Sequence, residues 1–94
     1  MIWAEKAKSD LDDIWHFTRR RWGEDRADLY LVGLNEAISD PEVRRLRARA
    51  IDFVKPGWFR MRVVRHFIYF RELNGNLLVE RVLHDSMDET MHLP

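Results

Sequence analysis

The spacing of apolar residues changes once along this 94-residue chain, from a helical period to a strand period. Up to about residue 40 the apolar side chains recur every three or four positions, whereas after Pro56 and Gly57 they alternate with polar ones or form β-branched and aromatic runs. Because the strong strand signals come only after the helical ones, the pattern predicts an α+β fold. In this fold a helical hairpin packs on one face of a curved antiparallel sheet.

Two amphipathic helices are predicted in the first part of the chain. The first helix ends at Gly23. Its apolar stripe comprises Ala7, Leu11, Ile14, Trp15, Thr18 and Trp22. The second begins near Glu24 or Asp25, whose carboxylates suit a helix N-terminus. Its stripe comprises Ala27, Tyr30, Leu31, Leu34 and Ile38. Because only one or two residues separate the helices, they must fold back as an antiparallel pair.

A short third helix and a β-hairpin are predicted next. Residues 40–42, DPE, combine an N-cap, a first-turn proline and an acidic first turn, which predicts a helix over PEVRRLRARA. Alternation from Phe59 onward and the run HFIYFREL predict strands. The Asn74–Gly75 pair is a two-residue turn signal, so NLLVERVLH is predicted to return as the partner strand, ending at His84.

Length and composition indicate one domain over residues 1–94, because 46% hydrophobic content in so short a chain suffices for a single modest core. The absence of cysteine excludes disulfides, thiolate metal sites and a cysteine nucleophile, and agrees with a cytoplasmic location. The chain is charged by Glu5 and has no apolar run near the roughly 18 residues of a membrane span. We therefore expect a soluble, non-exported protein with no membrane partner.

Charge is distributed unevenly although the formal net charge is zero. Residues 41–71 contain nine basic and two acidic residues, whereas both flanking segments are acidic overall. A basic segment of this kind attracts phosphates or an acidic protein surface, unless its arginines pair with the acidic ends of the same chain. Direct nucleic-acid binding is not expected, because the chain is neutral and has no recognition-helix pattern.

The tryptophans are expected to divide between core and surface. Trp15 and Trp22 lie on the first apolar stripe and are predicted to be buried. Trp58 follows a Pro-Gly turn beside the basic strand and is predicted to be exposed.

Five segments carry a family resemblance in their order along the chain: AKSDLDDIWHFTRRRWG with the following Ala27 and Tyr30, then GWFR, HFIYFR, RVLHDSMD and HL. Together they resemble the toxins of the ParE branch of the RelE/ParE superfamily, from bacterial type II toxin–antitoxin modules. The resemblance implies two N-terminal helices on a curved antiparallel sheet. It also implies a cytoplasmic toxin that inhibits DNA gyrase by binding and is neutralised by a ParD-like antitoxin.

Two departures from the family pattern affect the partner surfaces. Only Met1, Ile2 and Trp3 precede the helical region, where family members usually have a strand of five or six residues, so either the sheet loses an outer strand or the true start lies upstream. A shortened first strand would leave an open sheet edge for an antitoxin segment. The segment from Arg44 to Val54 lacks the usual glycine and is rich in arginine, so the partner contacts of that loop are not transferred from the family.

A metal site at the end of the chain is suggested by spacing alone. His84, Asp88 and His92 lie four residues apart, as ligands on one helix face would. If His84 ends a strand, however, this helical face does not form. We therefore predict no metal and no cofactor. The segment after His84, here called the tail, is expected to be anchored against the sheet by Met87 and Leu93.

Ribosome-dependent cleavage of messenger RNA, as in the related RelE-type toxins, is the alternative function. It needs a general base, a general acid and cations around the scissile phosphate. The sheet arginines could supply cations and His84 a proton, but acidic residues follow His84 and no tyrosine lies near the tail. We therefore predict no catalytic residue and interpret the arginines as a protein-docking or fold-stabilising surface.

The candidates for target binding and toxicity are Arg60, Arg62, Arg71, Arg81, His84, Met87 and Asp88. Trp58 and Phe59 are the candidates for antitoxin contact.

Overall fold

The computed structural model describes residues 1–93, which form four helices and five strands. In chain order they are β1 (Ile2–Trp3), α1 (Glu5–Trp22), α2 (Glu24–Ser39), α3 (Pro41–Arg47), β2 (Arg49–Ala50), β3 (Phe59–Val63), β4 (His66–Leu73), β5 (Asn76–His84) and α4 (Glu89–His92). The α+β prediction is confirmed.

The helical hairpin closes at a single residue. Gly23 has φ 92°, a value that glycine adopts without strain, and its N–H donates to the carbonyl of Arg19 at 2.9 Å. The indole N–H of Trp15 donates to Asp28 across the two helices at 2.8 Å. The predicted antiparallel pair of helices is therefore present, with one connecting residue.

The third helix begins as its sequence predicts. The carboxylate of Asp40 accepts a hydrogen bond from the backbone N–H of Glu42 at 2.9 Å, and Pro41 occupies the first turn. This arrangement satisfies an N–H that would otherwise lack a partner at the helix start. The helix ends earlier than the predicted segment, because residues 49–50 turn into a strand.

The sheet has the order β1-β5-β4-β3-β2. The pairings β2–β3, β3–β4 and β4–β5 are antiparallel, as predicted, whereas β1 runs parallel to β5. The long connection between β1 and β5 permits this parallel pairing, which a tight turn could not make.

The edge beside β5 is covered, contrary to the expectation of an open edge there. Ile2 and Trp3 pair with Leu78 and Val79. Beyond them, the backbone N–H of Val82 donates to the carboxylate of Asp10 at 2.9 Å, so α1 continues the cover where β1 stops. Within residues 1–93 the open stretch is instead at the opposite edge.

That open edge belongs to β3. The short strand β2 pairs only with Phe59 and Arg60, so the following residues, Met61–Val63, have no strand on their outer side within the described chain.

Two apolar clusters lie on opposite faces of the sheet. The larger cluster joins the helices to the sheet and includes Ala7, Ile14, Leu34, Ile38, Met61, Val63, Ile68, Phe70, Val79 and Val82. The smaller one lies on the other face and comprises Ile51, Trp58, Tyr69 and Leu83, with Leu93 of the tail packed against it. Residues 51–58 and the tail thus cover the second face of the sheet, as the helices cover the first.

The predictions for two tryptophans are wrong. Trp22 is 58% exposed, because it is the last residue of α1 and lies beyond the part of the helix that covers the sheet. Trp58 is buried, because the segment before it folds back over the second face and carries the indole into the smaller cluster.

Candidate functional site

The arginines predicted for target binding lie on the sheet face opposite the helices. On β3 and β4 the side chains that enter the larger cluster alternate with those of the other face, so Arg60 and Arg62 face away from the helices. Cross-strand pairing places Arg60 opposite Tyr69 and Arg62 opposite Phe67, and both guanidinium groups lie over the Phe67 ring, at 4.6 and 5.7 Å.

Each of these arginines has a carboxylate partner in the same chain. Nη1 of Arg60 is 2.7 Å from Glu89, and Nη2 of Arg62 is 2.6 Å from Asp85. Between β4 and β5, Nε of Arg71 is 2.7 Å from Glu80. The carboxylates of these three pairs are largely buried, which strengthens the attraction relative to a fully exposed ion pair.

Arg81 makes the most extensive contact of the four. Its guanidinium donates to both oxygens of Asp10, each at 2.8 Å, and also to the carbonyl of His92 at 2.7 Å. The hydrogen bonds to Asp10 raise the pKa of Arg81 above its ordinary value. Arg81 and Asp10 are only 15% and 12% exposed, so the pair fastens α1 to β5 instead of presenting a free cation.

Glu89 holds the tail over this face. Its Oε2 atom accepts from Nη1 of Arg60 and from the Tyr69 hydroxyl, both at 2.7 Å. Burial, followed by the hydrogen bond to Glu89, raises the pKa of Tyr69 above its ordinary value. Together with Leu93 in the smaller cluster, these contacts dock the tail.

The possibility that the basic segment pairs with acidic ends of the same chain is therefore confirmed for four of its arginines. Arg60, Arg62, Arg65 and Arg71 pair with carboxylates of the segment after residue 71. Arg81, which lies in that later segment, pairs with Asp10 of the first. The sequence did not reveal the roles of Asp10 and Glu89. No pattern around an aspartate on a helix or a glutamate in a tail indicates which side chain it binds.

The tail residues divide into docked and exposed ones. His84 ends β5 as predicted, so the four-residue helical spacing to Asp88 and His92 is interrupted. Asp88 caps α4 by accepting from the N–H and hydroxyl of Thr90, and these hydrogen bonds lower the pKa of Asp88. Met87 is 47% exposed and does not anchor the tail, so that expectation is wrong, whereas Leu93 does pack against the sheet.

A polar cluster that the sequence did not reveal lies where β4 and β5 meet α2. The Tyr30 hydroxyl is 2.6 Å from Nδ1 of His66, and the rings of His66 and His84 meet edge to face at 5.3 Å. Burial, and then the charge of nearby His84, lower the pKa of His66 to about 4. A neutral imidazole in this position accepts a hydrogen bond from the tyrosine hydroxyl, which ties the helix to the end of the sheet.

An apolar groove opens on the helix side of the sheet, next to α3. It has a volume of about 270 Å³. Its lining comprises Pro41, Arg44, Arg45, Ala48, Phe59, Phe70, Glu72 and Leu77. The rings of Phe59 and Phe70 stack at 5.7 Å and form the apolar part, while the two arginines add positive charge. Of the two predicted antitoxin contacts, Phe59 lies in this groove and Trp58 does not.

Comparison with known proteins identifies the family. A family model described as the ParE toxin of the type II toxin–antitoxin system parDE matches residues 1–89. The chain belongs to the ParE toxin family. The resemblance carried by the sequence segments is therefore confirmed.

Two ParE toxins are similar to this chain over most of its length. The chain is 35% identical over 88 residues to Toxin ParE1 of Mycobacterium tuberculosis, which covers 93% of this chain and 90% of that protein. It is 30% identical over 90 residues to Toxin ParE1 of Caulobacter vibrioides, covering 96% and 93%. The family assignment thus extends over almost the whole length of both proteins.

The fold of this ParE chain matches that of a RelE toxin. In the crystal structure of the RelB–RelE antitoxin–toxin complex from Methanococcus jannaschii, one chain superposes with a TM-score of 0.61 at 17% identity, with 100% of both chains covered. At this identity the likeness shows the fold alone.

Two features are absent from the described part of this ParE chain. Within residues 1–93 no helix has the length and apolar character needed to cross a membrane. In the same residues no three histidine, aspartate or glutamate side chains are arranged to hold a metal ion.

Proposed function

We propose that this ParE chain inhibits DNA gyrase by binding it and that a ParD-like antitoxin neutralises it in the cytoplasm. Family membership over residues 1–89 supports a toxin with an antitoxin partner. The observation that carries the binding mechanism is that Arg60, Arg62, Arg71 and Arg81 are all engaged by carboxylates of the same chain.

This engagement favours binding over RNA cleavage. A ribonuclease needs cations whose N–H donors are free for the scissile phosphate, together with a proton donor near it. Here Glu89 accepts hydrogen bonds from both Arg60 and the Tyr69 hydroxyl. The tail also lies over the face where RNA would have to enter. A negative side chain in that position opposes a phosphate.

We place the target contact on the exposed side of the tail. Phe53 and Met91 are 79% and 80% exposed, and a cleft between residues 53–55 and the tail is lined by Asp88 and Thr90. Met87 is exposed in the same segment. Exposed methionine and phenylalanine side chains next to a few polar groups suit a protein partner, since these residue types are enriched at protein interfaces. In this arrangement Arg60 and Arg81, which bond Glu89 and the carbonyl of His92, hold the tail in place and act on the target through it.

We place the antitoxin contact in the groove beside α3. Its phenylalanines and Leu77 form an apolar floor, and Arg44 and Arg45 add positive charge. An amphipathic antitoxin segment with apolar residues on one side and acidic residues beside them fits both features.

The proposal is tested with purified full-length protein, DNA gyrase and ribosomes in parallel. We expect inhibition of supercoiling or accumulation of cleaved plasmid, and no cleavage of messenger RNA on ribosomes. A variant with Met87→Gln and Met91→Gln should inhibit gyrase about tenfold more weakly, which corresponds to the loss of about 1.4 kcal/mol of contact energy.

The matched control is Leu46→Gln, which changes an exposed apolar residue on α3 and should leave inhibition unchanged. If the wild-type protein leaves gyrase unaffected and cuts messenger RNA, the ribonuclease alternative is correct. If Leu46→Gln weakens inhibition as much as the methionine variant, the tail is not the contact surface.

A further inference from the structure

Four arginines that lack a carboxylate partner cluster where α1 and α2 join. Arg19, Arg20 and Arg21 form the last turn of α1, and Arg26 lies in the first turn of α2. Within residues 1–93 none of these four forms an ion pair. We call residues 19–26 the hairpin end.

Aromatic rings support three of these guanidinium groups. Arg19 lies over the ring of Trp15 at 5.8 Å. Arg21 lies 5.8 Å from the ring centre of Phe17 and 5.9 Å from that of Trp22, and Arg26 is 5.3 Å from the same indole. All of these side chains except that of Trp15 are exposed. The rings therefore hold the cations at the surface of the molecule.

This support differs chemically from an ion pair. A guanidinium that stacks on a ring uses its flat face and keeps its in-plane N–H donors available. On the sheet, by contrast, Arg81 and Arg60 donate hydrogen bonds from these N–H groups to carboxylates. The hairpin end thus offers cations that are both oriented and free to bind an anion in the plane of the guanidinium, which is the geometry that phosphate oxygens need.

The shape of this end favours nucleic acid over a peptide. Extended peptides bind to a sheet edge and amphipathic helices bind to a groove. The hairpin end is a helix–helix junction without a strand, and the three consecutive arginines point about 100° apart around α1. Such a convex end meets a broad anionic surface better than a single acidic segment.

We propose that the hairpin end binds the phosphate backbone of duplex DNA without sequence preference. Glu24 and Asp25 lie in the same stretch and offset half of its positive charge, so the affinity is modest and falls steeply with salt. The zero net charge of the chain concealed this property, because the sheet arginines are neutralised internally while these are not. The proposal does not depend on gyrase being the target.

The test measures binding of the full-length chain to a short fluorescein-labelled duplex of arbitrary sequence by anisotropy at several salt concentrations. Three or four phosphate contacts predict a slope of about −3 in the logarithm of affinity against the logarithm of salt concentration. Arg19→Gln with Arg21→Gln should weaken binding at least about tenfold and make the slope shallower by about 2. Trp22→Ala should weaken binding less, since it removes only the support.

The matched control is Arg47→Gln with Arg49→Gln, which removes two exposed charges that also lack a carboxylate partner and should change the affinity much less. Urea unfolding of each variant separates binding from the contribution of these arginines to the end of α1. Absence of salt-dependent binding by the wild-type chain overturns the proposal. Equal loss in the control overturns it as well, as does tighter binding of a polyglutamate peptide than of DNA.

Discussion

At the scale of single residues, the same side chain has opposite roles in two parts of this protein. Arg81 is part of the framework, because Asp10 binds it through two hydrogen bonds and both groups are largely buried. Removing one partner of a buried pair costs about 3–5 kcal/mol, and somewhat less where water has partial access. Arg21 rests on aromatic rings and remains available. Sequence alone could not distinguish them, since the distinction depends on a carboxylate that is 71 residues away in one case and missing in the other.

The buried His66 predicts a pH dependence of stability. Its pKa falls from 6.5 to about 4 on folding, so the unfolded chain binds the proton more readily between these values. The contribution of His66 is therefore complete above about pH 6.5 and is lost as the pH falls towards 4. As the pH falls through this range, we expect the free energy of unfolding to decrease less in His66→Gln than in the wild type. The difference is on the order of 2 kcal/mol, after allowing for partial solvent access.

Urea unfolding of both proteins at a series of pH values measures this difference. His16→Gln is the control, because His16 is exposed on α1 and lies outside the cluster of Tyr30, His66 and His84. Parallel profiles for the wild type and His66→Gln would show that His66 does not titrate in the folded state as its burial implies.

At the scale of elements, the two hairpin turns of the sheet differ in how well the sequence suits them. In the β4–β5 turn both Asn74 and Gly75 have positive φ, at 51° and 79°, which is typical of a type I′ turn and of these residue types. In the β3–β4 turn Val64 has φ 55°, which a β-branched residue adopts only with strain.

Relieving this strain should stabilise the protein. Val64 is largely exposed, so replacing it removes little packing. We expect Val64→Gly to raise the free energy of unfolding by about 1 kcal/mol, because glycine adopts this conformation freely. Equilibrium unfolding in urea measures the change. Asn74→Gly is the control and should alter stability by only a few tenths of that, and a destabilised Val64→Gly would mean that the valine side chain makes a necessary contact.

The helices and long strands were predictable because each extends over several periods of its pattern. α1 and α2 cover four or more turns and end at Gly23 and Asp40, which are recognisable stop and cap residues. The strands β1 and β2 have two residues each, too few for an alternation to be detected, and their existence depends on the neighbours that they pair with. The burial of Trp58 was missed for the same reason, since it requires residues 51–58 to fold over the second face.

At the scale of the whole molecule, the proposed antitoxin and target surfaces lie on different faces of the sheet. Phe59 lies in the groove on the helix side, whereas Phe53 lies beside the tail on the other side. Their functions should therefore separate on mutation. Phe59→Asp should lower antitoxin affinity by about tenfold or more and leave gyrase inhibition intact, while Phe53→Asp should have the reverse effect.

Antitoxin binding by calorimetry and gyrase supercoiling provide the two measurements. Because Phe59 stacks on Phe70 and its replacement could unfold the protein, Arg45→Glu serves as a second variant that reverses an exposed charge in the same groove. If either phenylalanine variant affects both activities equally while remaining folded, the two surfaces are not separate.

The parallel pairing of β1 with β5 has a consequence for how the protein is made. Ile2 and Trp3 pair with residues 78 and 79, and Asp10 accepts hydrogen bonds from Arg81, so this sheet edge is complete only when both sets of residues are present. Contacts so far apart in sequence form only after residues 78–81 have been synthesised. A ribosome that stops before these residues therefore releases a fragment whose first strand has no partner strand.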